Sequence, residues 1–353
     1  TGFLYNVWLP RVSREVVPIG EPSTYRNNLS FVKGGMAMME YFGAFGTQNA
    51  LMRSESGTVS AIAGIFKAPF DIIADKLRGY IGLTMDMHEQ PDKVLKACEA
   101  LMPHLLHVAL TTADPDKKVP IGFWMHRGCV PFITPDQFAS HYWPTLKPLI
   151  EEMWAHGNQV LFYAEGDWGY HLDQFKELAE GSIVYHVDKG DIFETHKKLG
   201  DRFCLSGGIP NVLLSYGTPQ EVRESCKKVI DEVAQDGGYI MDASAIMQND
   251  TSIENMKVLT DFTREYGVYS SGSSSSGSQA TKGEGESGKA SGAGGNGMAG
   301  YPEPRIKPGI CRPWEEKVVE IPEIRGDEAI VRQQWENTEA LANVYIWQCL
   351  LSF

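Results

Sequence analysis

Short apolar runs alternate with amphipathic segments along most of the chain. Runs rich in β-branched and aromatic residues, bounded by Gly, Asp or Asn, predict strands at KVPIGFWMH, NQVLFYAE, SIVYHVD, RFCLSGGIP and GYIMDAS. Regular alternation of strand and helix over residues 60 to 266 is typical of a parallel sheet. A G-x-G-x-x-G or P-loop turn follows none of these runs, which disfavours a nucleotide-binding open sheet. We therefore predict an α/β fold of the (β/α)8 TIM barrel type.

Three helix starts are predicted by capping boxes, in which a Thr side chain and a Glu or Gln three residues later satisfy each other's backbone donors. A helical face follows the second of them, with Val222, Cys226, Val229 and Val233 spaced to pack on a sheet. The three predicted boxes are Thr134 with Gln137, Thr218 with Glu221, and Thr251 with Glu254.

Composition divides the chain into three parts. Residues 1–269 are predicted to form the barrel, and because the chain opens without Met on strand-like sequence, we expect its native N-terminus to be missing. Residues 270–300 are Ser, Gly, Ala and Lys, which predicts a linker or mobile loop. Residues 301–353 form an extension whose helix, from about Asp327 to Leu350, is apolar enough to dock on the barrel or on another subunit.

Charge and cysteine content exclude several classes of protein. The 353 residues are 42% hydrophobic, with 45 acidic against 32 basic residues and a net charge of -13. This surplus repels phosphate backbones and anionic lipid surfaces, so we expect neither nucleic acid nor membrane partners. An apolar run of about 18 residues, which a membrane span needs, is lacking. The six cysteines are widely spaced without a CxxC pair, which favours a reduced, cytoplasmic setting.

Reactive side chains stand at the ends of three neighbouring strand-like runs. Glu165 ends the first run, His186 and Asp188 the second, and Cys204 the third. The carboxyl ends of barrel strands share one mouth, so these groups are predicted to converge there. Glu165, His186 and Asp188 are the predicted catalytic residues, with Glu165 as a proton donor of raised pKa and Asp188 orienting the imidazole.

Two further sets of residues are candidates for binding. Glu165, His186 and Cys204 together would offer an O/N/S ligand set, which zinc tolerates with an open fourth position. The predicted substrate-binding side chains also follow apolar runs, and they are His126, Arg127, Asp167 and Asp242. Each has a plainer alternative as a helix cap, a hydrogen-bonded structural pair or a core-edge residue.

Several segments resemble the uroporphyrinogen decarboxylase-like superfamily. GIFKAPFDIIADKLRGYIGLTMDMHEQPDKV is similar to its Gly/Ala-Pro-aromatic turn and following helices, and FITPDQFASHYWPTLKPLIEEM to its S-P-E-x-F helix. LGDRFCLSGGIPNVLLSYGTPQEVRE resembles its L-x-G-N-I-x-P and G-T-P-E-E-V motifs, and TSIENMKVLTDFTREYG its late T-P-E-N segment. The resemblance covers about residues 40 to 269 in unbroken order.

The resemblance implies a (β/α)8 barrel that is either a porphyrinogen decarboxylase or a methyltransferase working with a corrinoid protein. A Tyr of the decarboxylases falls at Asp75, and their late G-H-G falls near Ser244 and Ala245, so neither matches. The methyltransferases' H-x-C zinc motif falls at Tyr163-Ala164-Glu165, so the thiol-activating site is also absent.

The branch with Glu-Gly at this strand end looks like enzymes that demethylate small methylated donors. We therefore expect a methyltransferase component that passes a methyl group from a small O-, N- or S-methylated compound to a corrinoid on a partner protein. The alternatives are a decarboxylase with another substrate, or a non-catalytic complex subunit. The C-terminal helix could also support a homo-oligomer.

Overall fold

The computed structural model describes residues 22–269, 300–301 and 303–351 of the chain. Internal contacts divide the chain into two compact units, Ile62–Pro302 and Thr1–Ala61 together with Glu303–Phe353. The predicted linker lies outside the described residues except for its last residue, and so do the first 21 residues. Among the described residues, no helix is both long enough and apolar enough to cross a membrane.

The unit Ile62–Pro302 is built on six parallel strands, and each strand pairs with the next one along the chain. This consecutive order is the one found in a (β/α)8 barrel, whereas a doubly wound sheet reverses direction at a switch point. The predicted α/β fold is therefore confirmed, and each of the five predicted strands is present. The strands are β1 Ile65–Phe66, β2 Ile121–Met125, β3 Val160–Ala164, β4 Ile183–Val187, β5 Cys204–Ile209 and β6 Tyr239–Ala243.

Helices connect these strands. Two of them, those that begin at Pro69 and Pro135, continue directly into π-helical turns over Ile73–Leu77 and Phe138–Tyr142. The helices of this unit are α2 Pro69–Ile72, α3 Tyr80–Glu89, α4 Pro91–Thr112, α5 Pro135–Gln137, α6 Trp143–Ala155, α7 Leu172–Phe175, α8 Ile192–Leu199, α9 Asn211–Tyr216, α10 Pro219–Val233 and α11 Ile253–Tyr266, and α1, Pro22–Ser56, lies in the other unit.

The capping boxes at Thr134 and Thr218 are confirmed, since each side chain accepts the backbone N–H three residues later and receives the reciprocal bond. The prediction at Thr251 is wrong. The residue that caps α11 is Ser252, whose hydroxyl accepts from Asn255 N at 3.4 Å. A one-residue shift suffices because Ser and Thr are both effective N-caps.

One face of the sheet is covered by helices and carries most of the aromatic core. Phe66, Phe123, Phe162 and Tyr185 stack in sequence across β1 to β4, with ring centroids 4.4, 6.0 and 5.4 Å apart. Phe162 also meets Phe175 of α7 at 4.6 Å, which places this face against the helices. Successive strand residues point to opposite faces, so residues of the other parity lie on the remaining face, which we call the inner face.

The second unit joins a C-terminal helix to the coil before it. This unit contains the short helix α12, Trp314–Lys317, and the long helix α13, Glu328–Leu351. Glu339, which is 5% exposed, accepts the backbone N–H groups of Cys311 at 3.1 Å and Arg312 at 2.5 Å. The helix predicted from Asp327 to Leu350 is thus present, and its docking on the barrel or on another subunit stays a prediction. Its buried apolar residues include Ile346, Trp347, Leu350 and Leu351.

Candidate active site

A row of rings crosses the inner face near the carboxyl ends of the strands. Strand pairing brings Trp124 of β2 beside Tyr163 of β3, and Tyr163 beside His186 of β4. The Trp124 and Tyr163 rings meet edge to face at 5.8 Å, whereas the Tyr163 and His186 rings stack at 4.4 Å. We call these three residues the aromatic row. Trp124 and Tyr163 are half-buried, so their rings are within reach of a ligand.

His186 is buried, with 1% of its surface exposed. Burial lowers the pKa of its imidazole to about 4, so the ring is neutral at pH 7. Its Nδ1 lies 2.8 Å from Ser206 Oγ and 3.7 Å from Asp242 Oδ2, whereas its Nε2 has no hydrogen-bond partner within the described part of the chain. A neutral imidazole is a much weaker acid than an imidazolium ion, but its unprotonated nitrogen can accept a hydrogen bond.

Asp188 does not take the role predicted for it beside the imidazole. Its Oδ2 accepts the backbone N–H of Gly166 at 2.8 Å and its Oδ1 that of Ala245 at 3.0 Å. The carboxylate therefore ties the loop after β3 to the loop after β6. The carboxylate that approaches His186 is Asp242 instead.

Carboxylates gather one layer beyond the aromatic row. Continuing the strand alternation places Glu165, Asp188 and Asp242 on the inner face at the carboxyl ends of β3, β4 and β6. Burial raises the pKa of Tyr163 to about 12, and the charges of these three carboxylates add to that rise, although a hydrogen bond from Ile246 N opposes it. The structure thus brings three of the sequence-predicted residues around one phenol. We call Glu165, Asp167, Asp188 and Asp242 the acidic arc.

The charge of the acidic arc is not balanced by Lys or Arg among the described residues. Across the described ranges, none of its four carboxylates forms an ion pair with Lys or Arg. Asp167, in the loop after β3, accepts the local backbone N–H of Gly169 at 2.9 Å. This side of the mouth therefore carries uncompensated negative charge.

Cys204 lies at the other end of the sheet. The prediction that it ends its strand is wrong, since β5 begins at Cys204 and pairs it with Val184 at the amino end of β4. It lies two positions before Ser206, the partner of His186, which is about 7 Å along the strand. Burial also raises the pKa of its thiol, which disfavours a thiolate. Glu165, His186 and Cys204 are therefore not brought together as one ligand set.

A second cluster, which sequence reasoning largely missed, lies beyond β1 and β2. Asp75 stands in the π-helical turn after α2, and its Oδ2 lies 2.6 Å from His126 Nε2 and 3.8 Å from Lys67 Nζ. Its Oδ1 accepts from Arg127 Nε at 2.8 Å. Burial alone would raise the pKa of Asp75, but the contacts with His126 and Arg127 outweigh it and hold the pKa at about 2. Asp75 is therefore ionised at neutral pH.

The same contacts set the charge on the neighbouring cations. Burial alone would lower the pKa of His126, but Asp75 and Asp71 raise it above its ordinary value. Burial lowers the pKa of Lys67, which is 1% exposed. His126 is the more accessible group, with 14% of its side chain exposed. This imidazole is therefore a candidate proton donor at the mouth.

Asp71 supports the cluster from beneath. Its carboxylate is fully buried, and it accepts the Tyr142 hydroxyl at 2.5 Å and the Arg127 backbone N–H at 2.7 Å. Burial raises the pKa of Asp71 and, together with the Asp71 charge, that of Tyr142. Asp71 and Asp75 are four residues apart in the helical segment after the Ala-Pro turn. This i, i+4 spacing of carboxylates was the sequence signal for the cluster.

Asp71, Asp75 and His126 could in principle hold a metal ion, because one ligand atom from each lies within 4.8 Å of the others. Two cations, however, already lie on Asp75, and both oxygens of Asp71 accept hydrogen bonds. A zinc ion here would face Lys67 and Arg127 at close range, where like charges repel strongly. The residues present therefore do not fit a resident zinc ion.

The model of the uroporphyrinogen decarboxylase (URO-D) family matches residues 44–266, and the chain belongs to this family. Curated relatives include the uroporphyrinogen decarboxylase of Chlorobium phaeobacteroides, 30% identical over 81 residues, which are 22% of this chain and 23% of that protein. That of Ruthia magnifica is 26% identical over 76 residues, 22% of each chain. The matched segment thus spans less than a quarter of these relatives.

Among solved structures, a methyltransferase from Methanosarcina mazei is similar at a TM-score of 0.48 and 15% identity, over 62% of each chain. The family resemblance found in the sequence motifs is confirmed by the family match.

Proposed function

We propose that the chain is the methyltransferase component of a corrinoid-dependent system. It would bind a small O-, N- or S-methylated donor on the inner face, at the mouth formed by the carboxyl ends of the strands. It would then deliver the methyl group to a corrinoid. The corrinoid is a second substrate, carried by a partner protein, and it supplies the nucleophilic cobalt that accepts the methyl group. The carbon–heteroatom bond of the donor breaks with its electron pair going to the leaving group.

The distribution of charge at the mouth is the observation that carries this proposal. The acidic arc is unpaired with Lys or Arg in the described chain, and the cations Lys67 and Arg127 are engaged with Asp75. A porphyrinogen carries many carboxylates and needs a basic pocket. Carboxylates of a substrate would be repelled by those of the acidic arc at a distance of a few ångströms. This mouth therefore favours a small neutral or cationic substrate.

His126 is a candidate proton donor at the mouth for those methyl donors whose leaving group must be protonated. An alkoxide, amide or thiolate is a poor leaving group, and protonation in the transition state typically accelerates such steps by about 10²- to 10⁴-fold. Asp75, 2.6 Å from the imidazole, favours its protonated form and raises the pKa of His126 above its ordinary value. Glu165 would contribute its charge and a hydrogen-bond acceptor above Tyr163.

The second candidate is a decarboxylase, and it rests on the names of the curated relatives, which are uroporphyrinogen decarboxylases. Asp75 stands where the resemblance places a Tyr of those enzymes. Its carboxylate and its three cationic neighbours form a different chemical environment from a phenol. A decarboxylase acting on a less acidic substrate is the form of this alternative that the charge distribution allows.

Both candidates are tested with the purified chain. Cob(I)alamin is mixed with a panel of methyl ethers, methylamines and methyl thioethers, and the visible spectrum is followed for methylcobalamin. In parallel, uroporphyrinogen and simpler carboxylic acids are assayed for release of carbon dioxide. Protein-dependent methylcobalamin with at least one donor supports the proposal. Carbon dioxide release without methylcobalamin formation would favour the decarboxylase.

A further inference from the structure

The aromatic row and the acidic arc lie in successive layers of the inner face. Trp124 and Tyr163 present half-buried rings, and Glu165, Asp188 and Asp242 stand one layer beyond them around the Tyr163 phenol. The faces of Trp and Tyr rings attract cations, and this attraction grows when the site is shielded from water. A site with aromatic rings in one layer and carboxylates in the next is complementary to a small organic cation.

His186 supplies an independent indication of a ligand. The side chain is 2% exposed, yet its Nε2 has no hydrogen-bond partner in the described residues. Leaving such an atom unsatisfied costs about 1–3 kcal/mol, so buried polar atoms are usually paired. The Nδ1 atom is already engaged by Ser206, and Nε2 is the ring nitrogen further from the main chain.

The protonation of this ring decides what Nε2 can bind. A neutral imidazole has one N–H, and the Asp242 carboxylate on the Nδ1 side favours that proton on Nδ1; in this tautomer the Nε2 atom is an acceptor. The ligand that satisfies it must therefore offer a donor hydrogen. Asp242 Oδ2, 3.7 Å from Nδ1, favours positive charge beside the same ring.

We propose that the aromatic row and the acidic arc form a binding site for a small N-methylated ammonium cation that retains an N–H group. The methyl groups contact the Trp124 and Tyr163 rings, the N–H donates to His186 Nε2, and the carboxylates balance the charge. This inference rests on the proposed function only in naming the class of methyl donor.

The class also fits the chemistry of transfer. When a methylammonium loses its methyl group, the C–N bond breaks, its electron pair stays on nitrogen, and the proton already present leaves with a neutral amine. The leaving group therefore needs no proton from the protein. His126 would be required for ethers and thioethers but not for this class.

Binding is measured by calorimetry at pH 7 and constant ionic strength, without any corrinoid. Trimethylammonium is compared with tetramethylammonium, which has no N–H, and with neutral tert-butanol. We expect both comparison compounds to bind at least about tenfold more weakly, since one lost charge or hydrogen bond is worth 1.4 kcal/mol or more. Equal affinities for trimethylammonium and tert-butanol would overturn the site.

Variants locate the binding. Asp242→Asn and Glu165→Gln should each weaken trimethylammonium binding at least about threefold, and His186→Gln should remove the preference for an N–H group. The matched control is Asp201→Asn, an exposed aspartate just before the amino end of β5. If Asp201→Asn weakens binding as much as Asp242→Asn, the effect is general charge and the site is wrong. If His186→Gln does not fold, the variants Asp242→Asn and Glu165→Gln still test the site.

The result is separable from that of the proposed function. If a methyl ether transfers its methyl group to cob(I)alamin while trimethylammonium neither binds nor transfers, the inferred donor class is wrong and the methyltransferase stands. If trimethylammonium binds as expected and no donor yields methylcobalamin, the cation site stands and the methyltransferase fails.

Discussion

Removing the charge of Asp75 should destabilise the fold strongly at neutral pH. The carboxylate is 11% exposed and faces Lys67 at 3.8 Å, His126 at 2.6 Å and Arg127 at 2.8 Å. A shift in its pKa from 3.8 to about 2 corresponds to about 2 kcal/mol of stabilisation, since one pKa unit is about 1.4 kcal/mol. Leaving the buried Lys67 without its counterion adds to the loss, so Asp75→Asn should cost about 2–5 kcal/mol.

The pH dependence of this loss has a definite sign. The folded-state pKa of Asp75 is depressed, so its contribution is fully present above the unfolded value of 3.8 and disappears as the pH falls through about 2. His126 has a raised pKa, so its share is present below its unfolded value of 6.5 and is lost as the pH rises through the folded value. The difference in free energy of unfolding between the parent and Asp75→Asn should therefore become smaller towards pH 2 and, to a lesser extent, above pH 7.

Urea unfolding at pH 7, 4 and 3 measures the free energy of unfolding of parent and variant. Asp173→Asn, which removes an exposed carboxylate from ion pairs with Lys176 and Lys198, is the control and should leave stability unchanged. The double variant Lys67→Met with Asp75→Asn removes both partners and should recover part of the loss. A free energy of unfolding for Asp75→Asn within about 0.5 kcal/mol of the parent value at pH 7 would mean that the Asp75 charge does not stabilise the fold as proposed.

Three further predictions concern other contacts. Ser252→Ala should lower the free energy of unfolding by about 1 kcal/mol through the lost cap of α11, and Thr251→Ala by less; equal losses in urea titrations would reject the Ser252 cap. Glu339→Ala should cost about 1–3 kcal/mol because the N–H groups of Cys311 and Arg312 lose the one carboxylate oxygen that accepts both, and a melting curve like that of the exposed control Glu336→Ala would contradict this. His126→Gln should slow transfer from methyl ethers by about 10²- to 10⁴-fold and from methylammonium far less; parallel losses would sink its role as acid.

Local pattern was enough to predict most of the fold. The five β-branched runs lie in β2 to β6, because a parallel strand buried on one face and half-buried on the other needs a nearly continuous apolar sequence. The capping boxes at Thr134 and Thr218 were predicted from a Gln or Glu three residues after the Thr, a spacing typical of helix starts. At Thr251 the neighbouring Ser252 is chemically equivalent, so sequence alone did not select between them.

The site was harder to predict because it depends on where each strand begins and on pairing between distant segments. Cys204 was assigned to the carboxyl end of its run, but the glycines that follow it belong to β5 itself. Gly207 and Gly208 have φ of +85° and +86°, and a Cβ on either would collide with Val187 or Ile192. These glycines allow β5 to lie against β4 and α8, so the strand extends beyond them.

The Asp75 cluster shows a second limit of sequence reasoning. His126 and Arg127 were identified as strand-end residues, but their partner lies some fifty positions earlier in the chain. Only the pairing of β1 with β2 brings the two segments together. The bonds of Asp188 to Gly166 and Ala245 likewise depend on loops whose paths the sequence does not specify.

The transfer of a labelled methyl group shows whether the chain is a corrinoid-dependent methyltransferase. The chain is incubated with cob(I)alamin and trimethylammonium or a methyl ether that carries a CD3 group, and the cobalamin product is analysed by mass spectrometry. We expect protein-dependent CD3-cobalamin from at least one donor, and a reduced yield with Asp242→Asn when the donor is the ammonium. The absence of labelled methylcobalamin from every donor, with a folded protein that binds trimethylammonium, would contradict it.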